Sequence, residues 1–436
     1  MELYKWQAQE LERHWTDRKR AIFASPRVGK TRCAIACMAE AADHCEALRN
    51  VVVAPLVVCP MWVEQLSSAG FDVSLGYQHN GPLPDEGTVV INWDRLARRL
   101  DDLTAWKPQY LIADESHKAK GVSSDRGRAF RRLAWKTEWV RLLTGTPAPN
   151  HYGDLWGQMV ALNKDDWGRS YESFARRYLI RDSMFPSRVL GYTNVEELQA
   201  KLLRYATIVR REDVFGPDTW QEVIRPIKLS PAVKALYTRL ARQWVAELGD
   251  GREIDATHVL KRLVRLQQIA SGYTVDELKE AGRLHTHKID AVLADLDEIR
   301  EAGEKAAVFY RFVWEREEYA RELKVTGHQV FIINGDNWQK FQAYDGPAVA
   351  VAQTQSCGIG ISLNTAVHAL FVSCDFSFAD HIQARDRVYK PGQSRCVTYY
   401  LAEGTVDYYI KKVLDTKGDV FNAVRNADFQ SMAFGG

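Results

Sequence analysis

From Ala21 the chain alternates short apolar runs with amphipathic stretches. AIFA, VVVAP, TVVIN, YLIAD and WVRLLT are too short for helices and carry few polar positions, which predicts buried strands. Between them TRCAIACMAEAA, MWVEQLSSA, DRLARRL and GRAFRRLAW repeat apolar residues at three- and four-residue steps, which predicts helices. Such alternation predicts a parallel sheet covered on both faces. From about Leu155 to Leu284 the strand signal nearly vanishes, and LWGQMVAL, YESFARRYL, VEELQAKLLRYA, PAVKALYTRLARQWVAEL and THVLKRLVRLQQIA all have helical spacing. Near Lys305 the alternation resumes with AAVFY, QVFII, AVAVAQ, HALFV and CVTYYLA. The pattern predicts an α/β chain of two lobes with helical material between them.

Length agrees, because 436 residues exceed one ordinary core. No apolar run reaches the ~18 residues that span a membrane. The amphipathic, charged start MELYKWQAQELERHW is not a secretory leader, so a cytoplasmic protein is expected. The seven cysteines form no CxxC pair, and neither a metal framework nor a disulfide framework is expected. The net charge of +2 is nearly neutral, so any nucleic-acid partner must be met by local basic tracks.

One loop carries the first chemistry. ASPRVGKT, from Ala24 to Thr31, is close to GxxxxGK[ST] and follows a predicted strand. Backbone N–H groups of such a loop, with the following helix N-terminus, form an anion nest. Lys30 would reach the β- and γ-phosphates of ATP and Thr31 would ligate Mg2+. Gly29 is the glycine most needed, since backbone approaches phosphate there. Taken alone, GKT also fits the start of an ordinary helix. YLIADESH then delivers Asp114 and Glu115 at a strand end, where open α/β sheets bind ligands. Asp114 can hold Mg2+ through water and Glu115 can polarise an attacking water. LLTGTPAPN ends a further strand in Thr144-Gly145-Thr146, whose hydroxyls can sense a γ-phosphate.

These pieces, in this order, resemble helicase superfamily two. QARDRVYKPGQ, from Gln383 to Gln393, is similar to the sixth motif of the SWI/SNF-type DNA translocases, QAxDRxxRxGQ. TQSCGIGISLNTA resembles their fifth motif, LSPAVKALY and RLVRLQQIASG their inter-lobe segments, and LAEGTVDYYI their closing strand and helix. The resemblance spans almost the whole chain and is closest to the minimal versions of bacteria and their viruses. It implies two RecA-like lobes with parallel sheets and helical protrusions. The first lobe would cover residues 1–222, with a protrusion from about 151. The second would cover 223–436, opening on a protrusion at about 228–284.

The resemblance further implies that Gln7 in LYKWQ reads adenine and that His117 links nucleotide state to the DNA side. Thr144 and Thr146 would couple the lobes. Gln383 and Arg387 would face the γ-phosphate across the cleft, Arg387 as an arginine finger. DNA contacts would come from Pro55, Trp62, Asn92 and Asp94, and from Thr354 and Gly358 in the second lobe. Two basic helical faces, Arg128-Arg131-Arg132 and Lys261-Arg262-Arg265, are further candidates beside their ordinary reading as solvated surface. Three positions depart from the family pattern: Arg27 and Cys357 stand where glycines are usual, and Lys390 replaces the second arginine of the sixth motif. The expectation is an ATP-dependent motor on DNA, probed against two alternatives, a strand-separating helicase and a DNA-binding scaffold without turnover. Double-stranded DNA is the expected partner, with no membrane and an unidentified recruiting protein.

Overall fold

The computed structural model describes all residues except 1–2, 46–48, 79–80, 150, 184–188, 217–219, 250–255, 276–280, 335–336, 356–360 and 417–436. The chain divides into two units, Met1–Pro217 and Asp218–Gly436.

In the first unit, β1 (Lys19–Ala24), β2 (Arg49–Ala54), β3 (Val73–Ser74), β4 (Gly87–Asn92), β5 (Tyr110–Asp114) and β6 (Trp139–Thr144) enter one sheet. A hairpin of β7 (Leu179–Arg181) and β8 (Val189–Tyr192) stands apart, and β9 (Ala206–Val209) returns to the sheet edge. The order is β3-β4-β2-β5-β6-β1-β9, and every pairing is parallel. Strands β2 and β4 bury five of six residues and β5 and β6 all of theirs, as a sheet covered on both faces requires. The helix Asp154–Leu162 is buried at every position, which places it within the core that includes Leu155, Met159 and Val160.

The second unit repeats the plan. β10 (Trp220–Ile227), β13 (Ala306–Tyr310), β14 (Val330–Ile333), β15 (Val349–Gln353), β16 (His368–Phe371) and β17 (Arg395–Ala402) form a parallel sheet in the order β10-β17-β16-β13-β15-β14. β11 (Tyr273–Val275) and β12 (Ala281–Arg283) make a short separate hairpin. Helices Pro231–Gly249 and Ala256–Ser271 contribute Tyr237, Leu263 and Leu266 to the core on one face of this sheet. The expected α/β class with two parallel-sheet, RecA-like lobes therefore holds.

The stretch read as helical contains strands that the periodicity did not announce. ATIV (β9) follows the helix Val195–Tyr205 with no turn residue between, so its apolar positions continue the helical spacing. β10 is an edge strand with six consecutive exposed residues, so it lacks a buried alternation. It begins at Trp220 and pairs with β17 along its whole length, so it lies entirely in the second unit. DRLARRL is also not one helix: Trp93–Leu96 and Leu100–Trp106 are separated by a turn.

Candidate active site

Three neighbouring parallel strands, β5, β6 and β1, end on the same side of the first sheet. Their following loops carry Asp114-Glu115, Thr144-Gly145-Thr146 and ASPRVGKT. Adjacent strand ends thus gather motifs spread over some 120 residues of sequence, at the edge where such sheets bind ligands.

The loop between β1 and the helix Lys30–Cys45 contains two residues in the left-handed region, Arg27 (φ 65°) and Gly29 (φ 91°). Gly29 is required twice over. Its φ disfavours a side chain, and an added Cβ would lie 2.3 Å from Gln7 Nε2. Gln7 is the reason for that close approach. Its Nε2 donates to Gly29 O at 2.8 Å and its Oε1 accepts from Tyr4 N at 2.7 Å. Trp6 Nε1 donates to Val28 O at 3.1 Å, and Ser25 N to Val209 O at 3.0 Å. The loop is therefore braced by the first helix, Lys5–His14, and by β9. Lys30 Nζ donates to Ala24 O at 2.8 Å and Ser25 O at 3.3 Å, folded over the loop that carries it. Thr31 is half-buried in the first turn of the same helix.

That first helix is itself fixed by buried charge. Arg20 on β1 donates to Glu10 Oε1 at 3.2 Å and to Thr207 Oγ1 on β9 at 2.8 Å, while Thr207 Oγ1 donates to Glu10 Oε2 at 2.5 Å. Arg141 of β6, with no exposure, donates to the carbonyls of His14 and Trp15, each at 3.2 Å. Each of these charges has a hydrogen-bonded partner, as burial demands.

The two carboxylates differ in environment. Asp114 Oδ2 accepts from Trp62 Nε1 at 2.9 Å, its Oδ1 from Glu115 N at 3.0 Å, and its backbone O from Trp93 Nε1 at 2.8 Å. Burial, with the Glu115 charge beside it, pushes the Asp114 carboxyl up to about 6. Burial also pushes Glu115 up, but the hydrogen bond and charge of His117, with Lys30, more than reverse that effect and hold it below the usual carboxylate range. His117 Nδ1 stands 3.1 Å from Glu115 Oε2 and 2.9 Å from Thr144 Oγ1. Thr144 Oγ1 donates to Glu115 Oε2 at 3.3 Å and accepts from Thr146 N at 3.1 Å. Glu115, His117, Thr144 and Thr146 thus form one hydrogen-bonded chain across β5 and β6, with Lys30 close enough to bias both acids. The oxygen donors Thr31 and Asp114 suit Mg2+, which takes one or two protein ligands and fills its remaining positions with water and phosphate. A buried acidic pair that lacks full cationic compensation fits such an ion.

The other candidates lie elsewhere. Pro55 caps the short helical turn Leu56–Val58 after β2. Asn92 caps the helix Trp93–Leu96 after β4, and Asp94 is exposed and paired with Arg126. Trp62 has no exposure, and its indole N–H is spent on Asp114. Its side chain is turned to Asp114 in the interior rather than to solvent. Arg131 likewise leaves the basic face proposed for its helix, since it is buried over Trp156 and donates to Gly121 O and Val122 O. In the second unit Thr354 is buried on Tyr310 O at 3.1 Å, and Gly358 and Cys357 fall outside the described residues. Gln383 lies half-buried on the helix Phe378–Asp386, and Arg387 follows it with Nη1 donating to Ile361 O at 3.1 Å. Sequence reasoning missed Trp6, Trp93 and the Glu10–Arg20–Thr207 brace. Trp6 adjoins Gln7 in LYKWQ and Trp93 adjoins Asn92 in INWDRL, so the signal was an aromatic beside each motif residue.

Comparison with known proteins matches residues 22–273 to the SNF2-related domain. The chain is similar to the SWI/SNF-related matrix-associated actin-dependent regulator of chromatin subfamily A-like protein 1 of Xenopus tropicalis, 27% identical over 347 residues, covering 75% of this chain and 34% of that protein. It is similar to the DNA annealing helicase and endonuclease ZRANB3 of Mus musculus, 24% identical over 389 residues, covering 84% and 35%. It is also similar to the Zorya protein ZorD of Escherichia coli, 26% identical over 348 residues, covering 72% and 31%. The chain spans about a third of the length of these curated relatives.

Proposed function

Because this chain belongs to the SNF2-related family, we propose that it is an ATP-driven motor that moves on double-stranded DNA without reading sequence. The observation that carries the reading is the Glu115–His117–Thr144–Thr146 chain beside Lys30, at the ends of three adjacent strands. Lys30 leaves the Ala24 and Ser25 carbonyls and takes the β- and γ-phosphates, while the loop N–H groups cradle them. Thr31 and Asp114 would hold Mg2+, which when bound would neutralise phosphate charge. Glu115, the more readily ionised of the two acids, accepts a proton from the attacking water. His117 and Thr144 orient that carboxylate and are placed to register departure of the γ-phosphate. Gln7 acts through the loop it braces, in addition to any contact with adenine. Arg387 and Gln383, of the sixth-motif segment, are the proposed source of transition-state charge. Pro55, Asn92, Asp94 and Thr354 belong to the DNA track, in a protein working in the cytoplasm. The family's relatives bear helicase and chromatin-regulator names, which supports nucleic acid as the partner.

The test is ATP turnover by the purified chain with and without duplex DNA. DNA-stimulated hydrolysis that vanishes in Lys30→Ala supports the motor. Hydrolysis absent under all conditions, with DNA binding intact, would make the protein a scaffold instead.

A further inference from the structure

At the N-terminal ends of β16 and β17 three side chains from separate segments line up. His368 opens β16 and Cys396 is the second residue of β17, and the two are register partners on neighbouring parallel strands. Their side chains therefore project from the same face of the sheet. Glu304, two residues before β13, lies with Oε2 at 2.6 Å from His368 Nε2. An ionised carboxylate only accepts, so Nε2 carries the proton and Nδ1 is left as the acceptor nitrogen. Cys396 sits beside His368 as its register partner on that face, and Thr398 Oγ1 lies 3.8 Å from the Cys396 Sγ. Of the five cysteines whose side chains are described, Cys33, Cys37, Cys59 and Cys374 are buried and Cys396 is partly open to solvent. Among the described residues no three His, Cys, Asp or Glu side chains are grouped to hold a metal ion. The cluster is a line from acid to imidazole to thiol.

We propose that Cys396 is an activated thiol, and that His368 and Glu304 make it a site of thiol–disulfide exchange with small disulfides of the glutathione class. His368 Nδ1 takes the proton from Sγ while Glu304 holds the ring through Nε2–H. The thiolate attacks one sulfur of the disulfide. A new Sγ–S bond forms, the original S–S bond breaks, and the departing thiolate leaves with its electron pair and takes up a proton. The small disulfide is itself the oxidant.

The electrostatics agree with this geometry. The neighbouring His368 imidazole holds the Cys396 thiol below its usual range against the opposing effect of burial. The Cys396 and Glu304 contacts hold the His368 imidazole above its own, again against burial. A depressed thiol keeps its thiolate to lower pH than an ordinary cysteine, so reactivity is lost only as pH falls through the depressed value. On the other side of β17 the register partner of Cys396 is Gln221 of β10, which is uncharged. Arg395, next along β17, directs its guanidinium to Val388 O, Asn364 O and Gln393 Oε1. By contrast burial pushes the Cys59 and Cys374 thiols each up to about 12.

The experiment uses the full chain with a chromogenic aromatic disulfide and with oxidised glutathione, from pH 5 to 9, with peptide mapping of the adduct. Cys396 should be the first residue modified and Cys396→Ser should remove the fast phase. At pH 6 its rate should exceed that in His368→Gln and Glu304→Gln by about tenfold. Glu304→Gln is the milder variant, at a side chain 39% exposed. Faster modification of another cysteine, or a wild-type profile half-maximal at or above the ordinary thiol value of about 8.5, overturns the proposal. So does a profile unchanged in both variants.

Discussion

Gly29 and Arg27 sit two positions apart in the same left-handed region of backbone, and they differ in what surrounds them. At Gly29 a methyl group meets Gln7 Nε2, whereas Arg27 is accommodated at a position where the family pattern has glycine. A left-handed conformation costs an L-residue about 1–2 kcal/mol, and glycine's greater freedom in the unfolded chain returns about 0.5–1 kcal/mol of that. Arg27→Gly should therefore leave stability unchanged or raise it by up to about 1.5 kcal/mol, and thermal denaturation checks it. Gly29→Ala should lower stability by about 1–3 kcal/mol. Part of that loss should be recovered in the double variant with Gln7→Ala, because the clash is then gone and only the φ strain remains. A strictly additive double-mutant cycle would show that the two residues do not meet. At the carboxylates, Glu115→Gln should abolish turnover while DNA binding survives, since the substitution removes the proton acceptor and keeps its shape. Substantial hydrolysis by Glu115→Gln would assign the acceptor role to another group.

Two helices reach from the candidate DNA loops to the same aspartate. The helix Cys59–Ser68 follows Pro55 and sends Trp62 to Asp114 Oδ2, and the helix Trp93–Leu96 follows Asn92 and sends Trp93 to Asp114 O. A shift of either loop is thereby felt at the proposed metal ligand. Trp62→Phe keeps an aromatic ring at a site without exposure but removes a donor to a buried carboxylate, a loss of about 1.5–3 kcal/mol at that contact. The expected outcome is a folded protein with lower turnover and a higher Mg2+ requirement, read from ATPase rate against magnesium concentration. An unchanged magnesium curve would mean that the indole only fills space. Trp62 also shows what sequence makes legible at this scale. The strands β1, β2, β4, β5 and β6 were readable because their runs are apolar and bounded, and Lys30, Asp114, Glu115 and Thr144 because each falls at a strand end. Trp62 and Arg131 were not, because a side chain's direction depends on which helix face the sheet covers, and periodicity does not identify a hydrogen-bond partner 52 residues away. β9 and β10 were hidden for a related reason: an edge strand's pairing is decided by distant residues of β1 and β17.

For the molecule as a whole, the expected activator is duplex DNA rather than single strands of equal length, with little unwinding of a blunt duplex. Loop amides and hydroxyls that grip phosphates need no base edges, so the proposed motor should ignore sequence. Strand separation needs a further part, a wedge that projects between bases as the motor advances. The connection from the helix Phe378–Asp386 to β17 is the short stretch Arg387–Ser394, which contains no described strand. The hairpin that the second unit does contain, β11 with β12, has strands of three residues each. It is tied down, with Arg283 paired to Glu318 and Glu322 on the helix Val313–Val325. Among the described residues neither segment carries a strand longer than three residues. Lys390 is the departure from the family pattern that bears on rate. It is exposed at the second arginine position of the sixth motif, where an ammonium replaces a planar fork. Lys390→Arg should therefore keep or raise the DNA-stimulated rate, and a tenfold drop would give Lys390 a separate role. Binding should weaken with salt at a log–log slope of about 0.9 per phosphate neutralised on duplex. ATPase rates on matched single- and double-stranded DNA, triplex displacement and fork unwinding together decide the matter. Efficient unwinding of a plain fork, with single strands the better activator and no triplex displaced, would make this protein a strand-separating helicase.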